Sequence, residues 1–288
     1  HRTPGSTGGT AAADAANFRA VGMGTDTGNS IRGPSSHQSL VGIRSTMGLV
    51  SRTGVVPLNF LADIAGPMTR TVEDAAVVLQ VIAGPDPGDP ITLTSEGHIP
   101  TSYLPFLKKD ALKGVRLGVL HAAYDRPTAD PEVMAVFKNA LKELKAAGAE
   151  IVDPANVAGL PERPPNPLPC RGFKYDLEHY LVEAGAPVKT LDEIIKGGMF
   201  HPTIRQRLER AQTNDSAGDD SPGCQANREY RKKFGEAVLA TMTTLKLDAF
   251  VYPTWSNPPA IIGDVRQSLA ADNSQVYSPT TGFPAITV

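Results

Sequence analysis

The chain is 288 residues long and carries 28 Lys and Arg against 30 Asp and Glu, a formal net charge of −2. That balance argues against a nucleic-acid binder that works by neutralising phosphates, and 41 % apolar residues argue against intrinsic disorder. No apolar run approaches the roughly 20 residues of a membrane span and no signal peptide opens the chain, so a cytoplasmic location is the expectation.

Taken in chain order, the first 85 residues are rich in Gly, Ser and Thr. A short helix is expected over 11–18, a buried strand over 20–24, turn chemistry over 25–36 and a second strand over 40–43. Thr71 is a good N-cap, with Glu73 and Asp74 in the first turn. Val72, Ala75, Ala76, Leu79 and Ile82 then recur at helical spacing, and Gly84 is placed to stop that helix in a left-handed conformation. Residues 115–120 read as a strand. Asp130 caps a helix with Pro131 at its first position, the stripe Val133, Val136, Phe137, Ala140, Leu141 and Leu144 runs along it, and Gly148 ends it. Residues 150–152 make the next strand. Strand, helix, strand in this order predicts parallel pairing in an α/β fold.

Six prolines within 154–169 read as an extended linker. Helices follow over 173–184, 191–196, 202–212 and 226–245, with a polar loop at 214–223, and residues 248–253 return to strand. The expectation is one domain over 1–288, with a mixed, largely parallel sheet covered by helices and a mainly helical lobe over 155–245. The chain opens at His1 in a Gly-rich stretch and closes at Val288 within the apolar run 283–288. A strand cut in mid-run leaves main-chain groups without an obvious partner, so this reads as the central portion of a larger fold.

Two Gly-Ser-Thr loops carry the candidate chemistry: Pro4-Gly5-Ser6-Thr7-Gly8-Gly9-Thr10 and Gly24-Thr25-Asp26-Thr27-Gly28-Asn29-Ser30-Ile31-Arg32-Gly33-Pro34. Such loops expose main-chain N–H groups that bind anions. A phosphate loop fails on spacing: no lysine precedes Lys108, and Gly28 lies one residue too far from Gly22-Met23-Gly24 for a dinucleotide fingerprint. The other use of such a loop is to hold an oxyanion beside a serine nucleophile. Ser30 ends the run Thr27-Gly28-Asn29 but lacks the Gly-x-Ser-x-Gly context of an α/β-hydrolase elbow. A serine in a Gly-rich turn is by itself most often structural.

Both loops, with Ser6 and Ser30 at 24 positions' separation, closely resemble the amidase signature family. The resemblance continues through Val41-Gly42-Ile43-Arg44-Ser45-Thr46-Met47-Gly48 and through 63–75, and is sparser at 248–253 and 282–285. It implies an amide hydrolase with a Ser–Ser–Lys relay. Ser30 takes the place of the nucleophile, and Ser6, preceded by a cis peptide bond, that of the bridging serine. The main-chain N–H groups of Thr27, Gly28, Asn29 and Ser30 take that of the oxyanion donors, with Thr7, Thr25, Asp26 and Arg32 as supporting loop residues. The family's lysine falls before residue 1, so no residue here takes its role. Asn29 stands where the family has a glycine, and Arg44 where it has a lysine. Asn tolerates left-handed backbone angles, and Arg44 is a candidate ion-pair partner of Asp26.

The resemblance implies a small-molecule amide substrate and no cofactor or metal; a homo-oligomer stays open. The alternatives are a catalytically incomplete small-amide binder and an ammonia-producing amidotransferase subunit. Asp14 reads as part of a solvated face, with Arg19 its candidate partner if buried. His37, seven residues after Ser30, reads as a loop residue, with a base role as the alternative. Cys170 and Cys224 read as free thiols, a disulfide requiring an oxidising compartment. Tyr175, Tyr180, Phe200 and Trp255 read as core, with the lining of a pocket as the alternative.

Overall fold

A computed structural model describes residues 1–162, 170–213, 219–263 and 271–288. The second half of the linker expected over 154–169 and the first half of the loop expected over 214–223 lie outside the described residues.

The elements run α1 (Gly8–Ala15), β1 (Gly22–Asp26), α2 (Arg32–His37), β2 (Val41–Arg44), β3 (Ile64–Thr69), α3 (Val72–Ile82), β4 (Arg116–Val119), α4 (His121–Tyr124), α5 (Pro131–Ala146), β5 (Glu150–Val152), α6 (Phe173–Glu183), α7 (Leu191–Gly197), α8 (Arg205–Thr213), α9 (Pro222–Leu245), β6 (Ala249–Val251), α10 (Tyr277–Thr281) and β7 (Ala285–Thr287). The class is α/β. Among the described residues, parallel pairing is confined to β5-β4-β6, the unit expected from 115–152 and the strand near 250. The strands that carry the Gly-rich loops form a second sheet, β1-β3-β2-β7, paired antiparallel throughout.

In that sheet β2 lies between β3 and β7 and is buried along its whole length, as its apolar residues require. Strand β1 lies at the edge, two residues later than expected, and is not a buried strand: Met23 is exposed and only Gly22 and Asp26 are buried. Thr71 caps α3 by accepting from the Asp74 N–H at 3.0 Å. The helix ends at Ala83 in extended backbone. Gly84 has no positive φ, so the expected left-handed stop is absent. Asp130 caps α5 by accepting from the Glu132 N–H at 2.8 Å, and Gly148 follows the helix at φ 107°. The α5 stripe is only half covered: Val136 is 69 % exposed.

Helices α6, α7 and α8 pack around Leu177, Leu181 and Leu191. The chain is crosslinked there, since Cys170 and Cys224 form a disulfide across 54 residues. This corrects the free-thiol reading; spacing alone carried no sign that Cys170 and the first turn of α9 meet. Asp14 is also corrected: it is buried on α1 and paired with Arg19 Nε at 2.7 Å, because α1 turns that face onto β1 at Gly22.

Candidate active site

The two Gly-rich loops meet where α1 packs on β1 and against α2, which itself lies on β2 and β7. Ala11, Ile31, Leu40 and Met68 form a small apolar cluster beneath them. Ile31 is completely buried, so the residue after Ser30 anchors the loop in the core. Gly24 makes the close approach possible: a Cβ there would lie 2.8 Å from the Thr7 methyl and 3.0 Å from Ile31 Cγ1. Thr7 Oγ1 donates to the Thr25 carbonyl at 3.2 Å, joining one loop to the other.

Asp26 organises the second loop. It is fully buried, and its Oδ2 accepts from the main-chain N–H groups of Ile31 at 3.2 Å and Arg32 at 3.4 Å. Arg32 closes the turn from outside, with Nε at 3.1 Å from Asp26 Oδ2 and Nη2 donating to the Gly28 carbonyl at 2.6 Å. Arg44 adds a second cation: Nη1 lies 3.2 Å from Asp26 Oδ1 and also donates to the Asp26 carbonyl. Burial opposes ionisation of Asp26, but the two guanidinium groups and the Ile31 N–H outweigh it and hold the carboxyl below its usual range. Burial pulls Arg44 down to about 10, so it stays charged at neutral pH.

Thr27 is held from the other side, its hydroxyl donating to Asp63 Oδ1. Asp63 Oδ2 accepts from the N–H groups of Leu58 at 2.8 Å and Asn59 at 2.9 Å, while burial pushes its carboxyl above the usual value. Between Asp26 and α2 the main chain is therefore fixed at Thr27, Gly28, Ile31 and Arg32. Among the described residues, none of the N–H groups of Thr27, Gly28, Asn29 and Ser30 donates a hydrogen bond. Asn29 does not take a positive φ, so the loop makes no use of asparagine's tolerance for left-handed angles. Ser30 is half-buried, with Oγ 3.5 Å from Asn29 Oδ1.

Ser6 is exposed and follows a cis peptide bond from Gly5. It lines a cleft of about 540 Å³ together with Thr7, Thr10, Met23, Gly24 and Thr25. Ser30 does not line that cleft, and no hydrogen bond joins Ser6 to Ser30. His37 is the last residue of α2, at the end of the helix away from Ser30. Its ring packs on Trp255 at 5.0 Å, and burial lowers its pKa. Among the described residues no group of three or more His, Cys, Asp or Glu could hold a metal ion, and no helix is long and apolar enough to cross a membrane.

Sequence reasoning missed Asp63 as the anchor of Thr27. It also missed α10 and the segment that leads into it, where Arg32 Nη1 donates to the Ser274 carbonyl at 2.9 Å and Arg44 Nε to Ser278 Oγ at 2.9 Å. Asp63 had a signal, a lone acid before a wholly buried strand. Ser274 and Ser278 had none, since they meet arginines more than 230 residues away.

The family model described as Amidase matches residues 1–288. The chain is 43 % identical over 303 aligned residues to a glutamyl-tRNA(Gln) amidotransferase subunit of Chlorobium phaeobacteroides, covering all of this chain and 62 % of that protein. Among solved structures, the native peptide amidase of Stenotrophomonas maltophilia superposes with a TM-score of 0.78 at 30 % identity, covering 100 % of this chain and 59 % of that one. The corresponding glutamyl-tRNA(Gln) amidotransferase subunit of Thermotoga maritima gives 0.66 at 25 %, covering 98 % and 57 %. The chain thus spans about three-fifths of the length of the relatives it matches.

Proposed function

This chain belongs to the amidase signature family, and on that premise we propose that it is the serine-bearing part of an amide hydrolase acting through an acyl-enzyme. The observation that supports this most is the loop after β1. Four main-chain N–H groups in a row find no acceptor among the described residues, on a backbone pinned by Asp26, Arg32 and Asp63, with Ser30 at the end of the row. Donors fixed in advance stabilise an oxyanion without reorganising, and losing one typically costs about 2.7–4 kcal/mol in the barrier.

In the proposed reaction Ser30 Oγ attacks the carboxamide carbon and its proton passes to Ser6 Oγ. Ser6 in turn passes its own proton to a neutral lysine contributed by polypeptide outside residues 1–288. The carbonyl oxygen becomes the oxyanion and accepts from the N–H groups of residues 27–30. Collapse breaks the C–N bond, the relay returns a proton to the leaving amine, and water then hydrolyses the Ser30 ester. This reading requires Ser6 Oγ to come within hydrogen-bond reach of Ser30 Oγ when substrate binds, since catalytic hydrogen bonds are often completed only in the bound complex. The partner in this reading is a small-molecule amide.

The test is turnover by the full-length polypeptide. Ser30→Ala is expected to lower kcat by about 10⁴-fold or more with the unfolding midpoint unchanged. Near-normal amide hydrolysis by that variant removes Ser30 from the nucleophile role. The 43 % identity to an amidotransferase component favours a second reading, in which the same chemistry releases ammonia from glutamine for a partner protein. Glutamine hydrolysis that appears only when partner proteins are added selects that reading; hydrolysis of simple carboxamides by the isolated polypeptide selects the first.

A further inference from the structure

The segment that leads into α10 runs beside the candidate oxyanion loop, held at the Ser274 carbonyl by Arg32 and, in the first turn of the helix, at Ser278 Oγ by Arg44. Between these two anchors the exposed side chain of Gln275 reaches back over Gly28. Its Oε1, Cδ and Cγ lie 3.5, 3.7 and 3.8 Å from the position a Cβ on Gly28 would occupy. Nothing in the proposed reaction uses this side chain.

Its orientation is fixed by charge. Gln275 Nε2 lies 2.7 Å from Asp272 Oδ2. A carboxylate only accepts, so the amide end facing Asp272 is the NH₂ group and the other end is the carbonyl. Asp272 cannot readily turn away: it is 6 % exposed, and its Oδ1 accepts from the Ser274 N–H at 2.9 Å and hydroxyl at 2.6 Å. Among the described residues Gln275 Oε1 accepts no hydrogen bond. The site therefore presents a row of donors on the main chain of residues 27–30 and, against Gly28, one acceptor whose direction is set.

A primary carboxamide has the complementary pattern, an accepting carbonyl oxygen beside a donating NH₂. We propose that Gln275 Oε1 accepts from the substrate's amide N–H and selects primary carboxamides over the corresponding esters; this rests on the hydrolase reading of the same site. An ester places an oxygen lone pair where the carboxamide places an N–H, so the acceptor of Gln275 faces another acceptor and the alignment is penalised. Asp272 is the positioning residue, since it decides which end of the Gln275 amide faces the loop.

The experiment measures kcat/KM of the full-length polypeptide for a primary carboxamide and for the methyl ester of the same acid, in wild type and in Gln275→Leu. The expected result, read on folded protein, is an amide-to-ester ratio lowered by about tenfold, the worth of one directed hydrogen bond; the unfolding midpoint falls as well, because Asp272 Oδ2 loses its Gln275 donor, but a loss of stability alone lowers amide and ester turnover together and leaves the ratio unmoved. A ratio unchanged within about twofold overturns the assignment, as does loss of amide and ester turnover in equal measure. Wild-type protein that turns over neither substrate fails differently: it defeats the hydrolase reading and this inference with it.

Discussion

At the scale of single residues the site depends on Asp26, one carboxylate between two guanidinium groups in a space closed to water. Asp26→Asn leaves Arg32 and Arg44 buried without a counter-charge, and a broken buried pair typically costs about 3–5 kcal/mol. The expected outcome is a lower unfolding free energy by that amount, read from denaturant curves. The pH dependence has a definite sign. Folding lowers the Asp26 pKa, so its contribution is present above the ordinary carboxylate value and is lost as pH falls through the folded-state value. Acid denaturation curves of wild type and Asp26→Asn should converge at low pH; a constant gap down to strong acid contradicts the account. Arg44 binds Asp26, Ser278 and the Ala62 carbonyl with a planar fork. Arg44→Lys keeps the charge, loses that geometry, and is expected to destabilise by about 1.5–3 kcal/mol for a lost charged hydrogen bond, read from the same unfolding curves. The sequence already suggested the Asp26–Arg44 pair. It misled at Asp14, because whether an acidic residue on a short helix faces solvent depends on what packs there, and the edge of β1 at Gly22 is unreadable from composition.

Among the secondary-structure elements, those with capping chemistry were legible. Thr71 and Asp130 mark the starts of α3 and α5 within the residue, because a cap is a local hydrogen bond that the next three residues decide. The β1 strand was misplaced because it pairs with β3 at the sheet edge and is covered by α1 and Ile31, while its own Gly-rich run gave no alternation to read. The antiparallel order of the site-bearing sheet was also hidden, since β7 joins β2 from more than 240 residues away. The element that matters most for the site is the start of α2. Ile31 sinks into the cluster of Ala11, Leu40 and Met68, and this holds Ser30 at the end of its loop. Ile31→Ala is expected to cost about 2–5 kcal/mol and to lower turnover beyond what unfolding explains. Full activity of the folded fraction would show that this packing does not position Ser30.

For the whole molecule, two features join distant parts of the chain. The Cys170–Cys224 disulfide closes a segment of 54 residues around α6, α7 and α8. A loop of that length contributes about 4 kcal/mol on the chain-entropy account, so reduction should lower the unfolding free energy by an amount of that order, measured with and without a thiol reductant. The segment that leads into α10 brings Ser274 and Gln275 onto the loop of residues 26–32, and the first turn of α10 brings Ser278 onto Arg44, so the site is assembled from segments more than 230 residues apart. Because the proposed base lies elsewhere, residues 1–288 expressed alone should fold without turning over amides; ordinary turnover would show that a residue within them serves as base. The claim on which everything else depends is that Ser30 is a nucleophile facing a row of main-chain donors. The most direct measurement is covalent labelling of the full-length polypeptide with a fluorophosphonate, with the modified residue identified by peptide mass spectrometry. One adduct is expected, on Ser30 and absent from Ser30→Ala; an adduct on another serine, or labelling that survives Ser30→Ala, removes Ser30 from the nucleophile role.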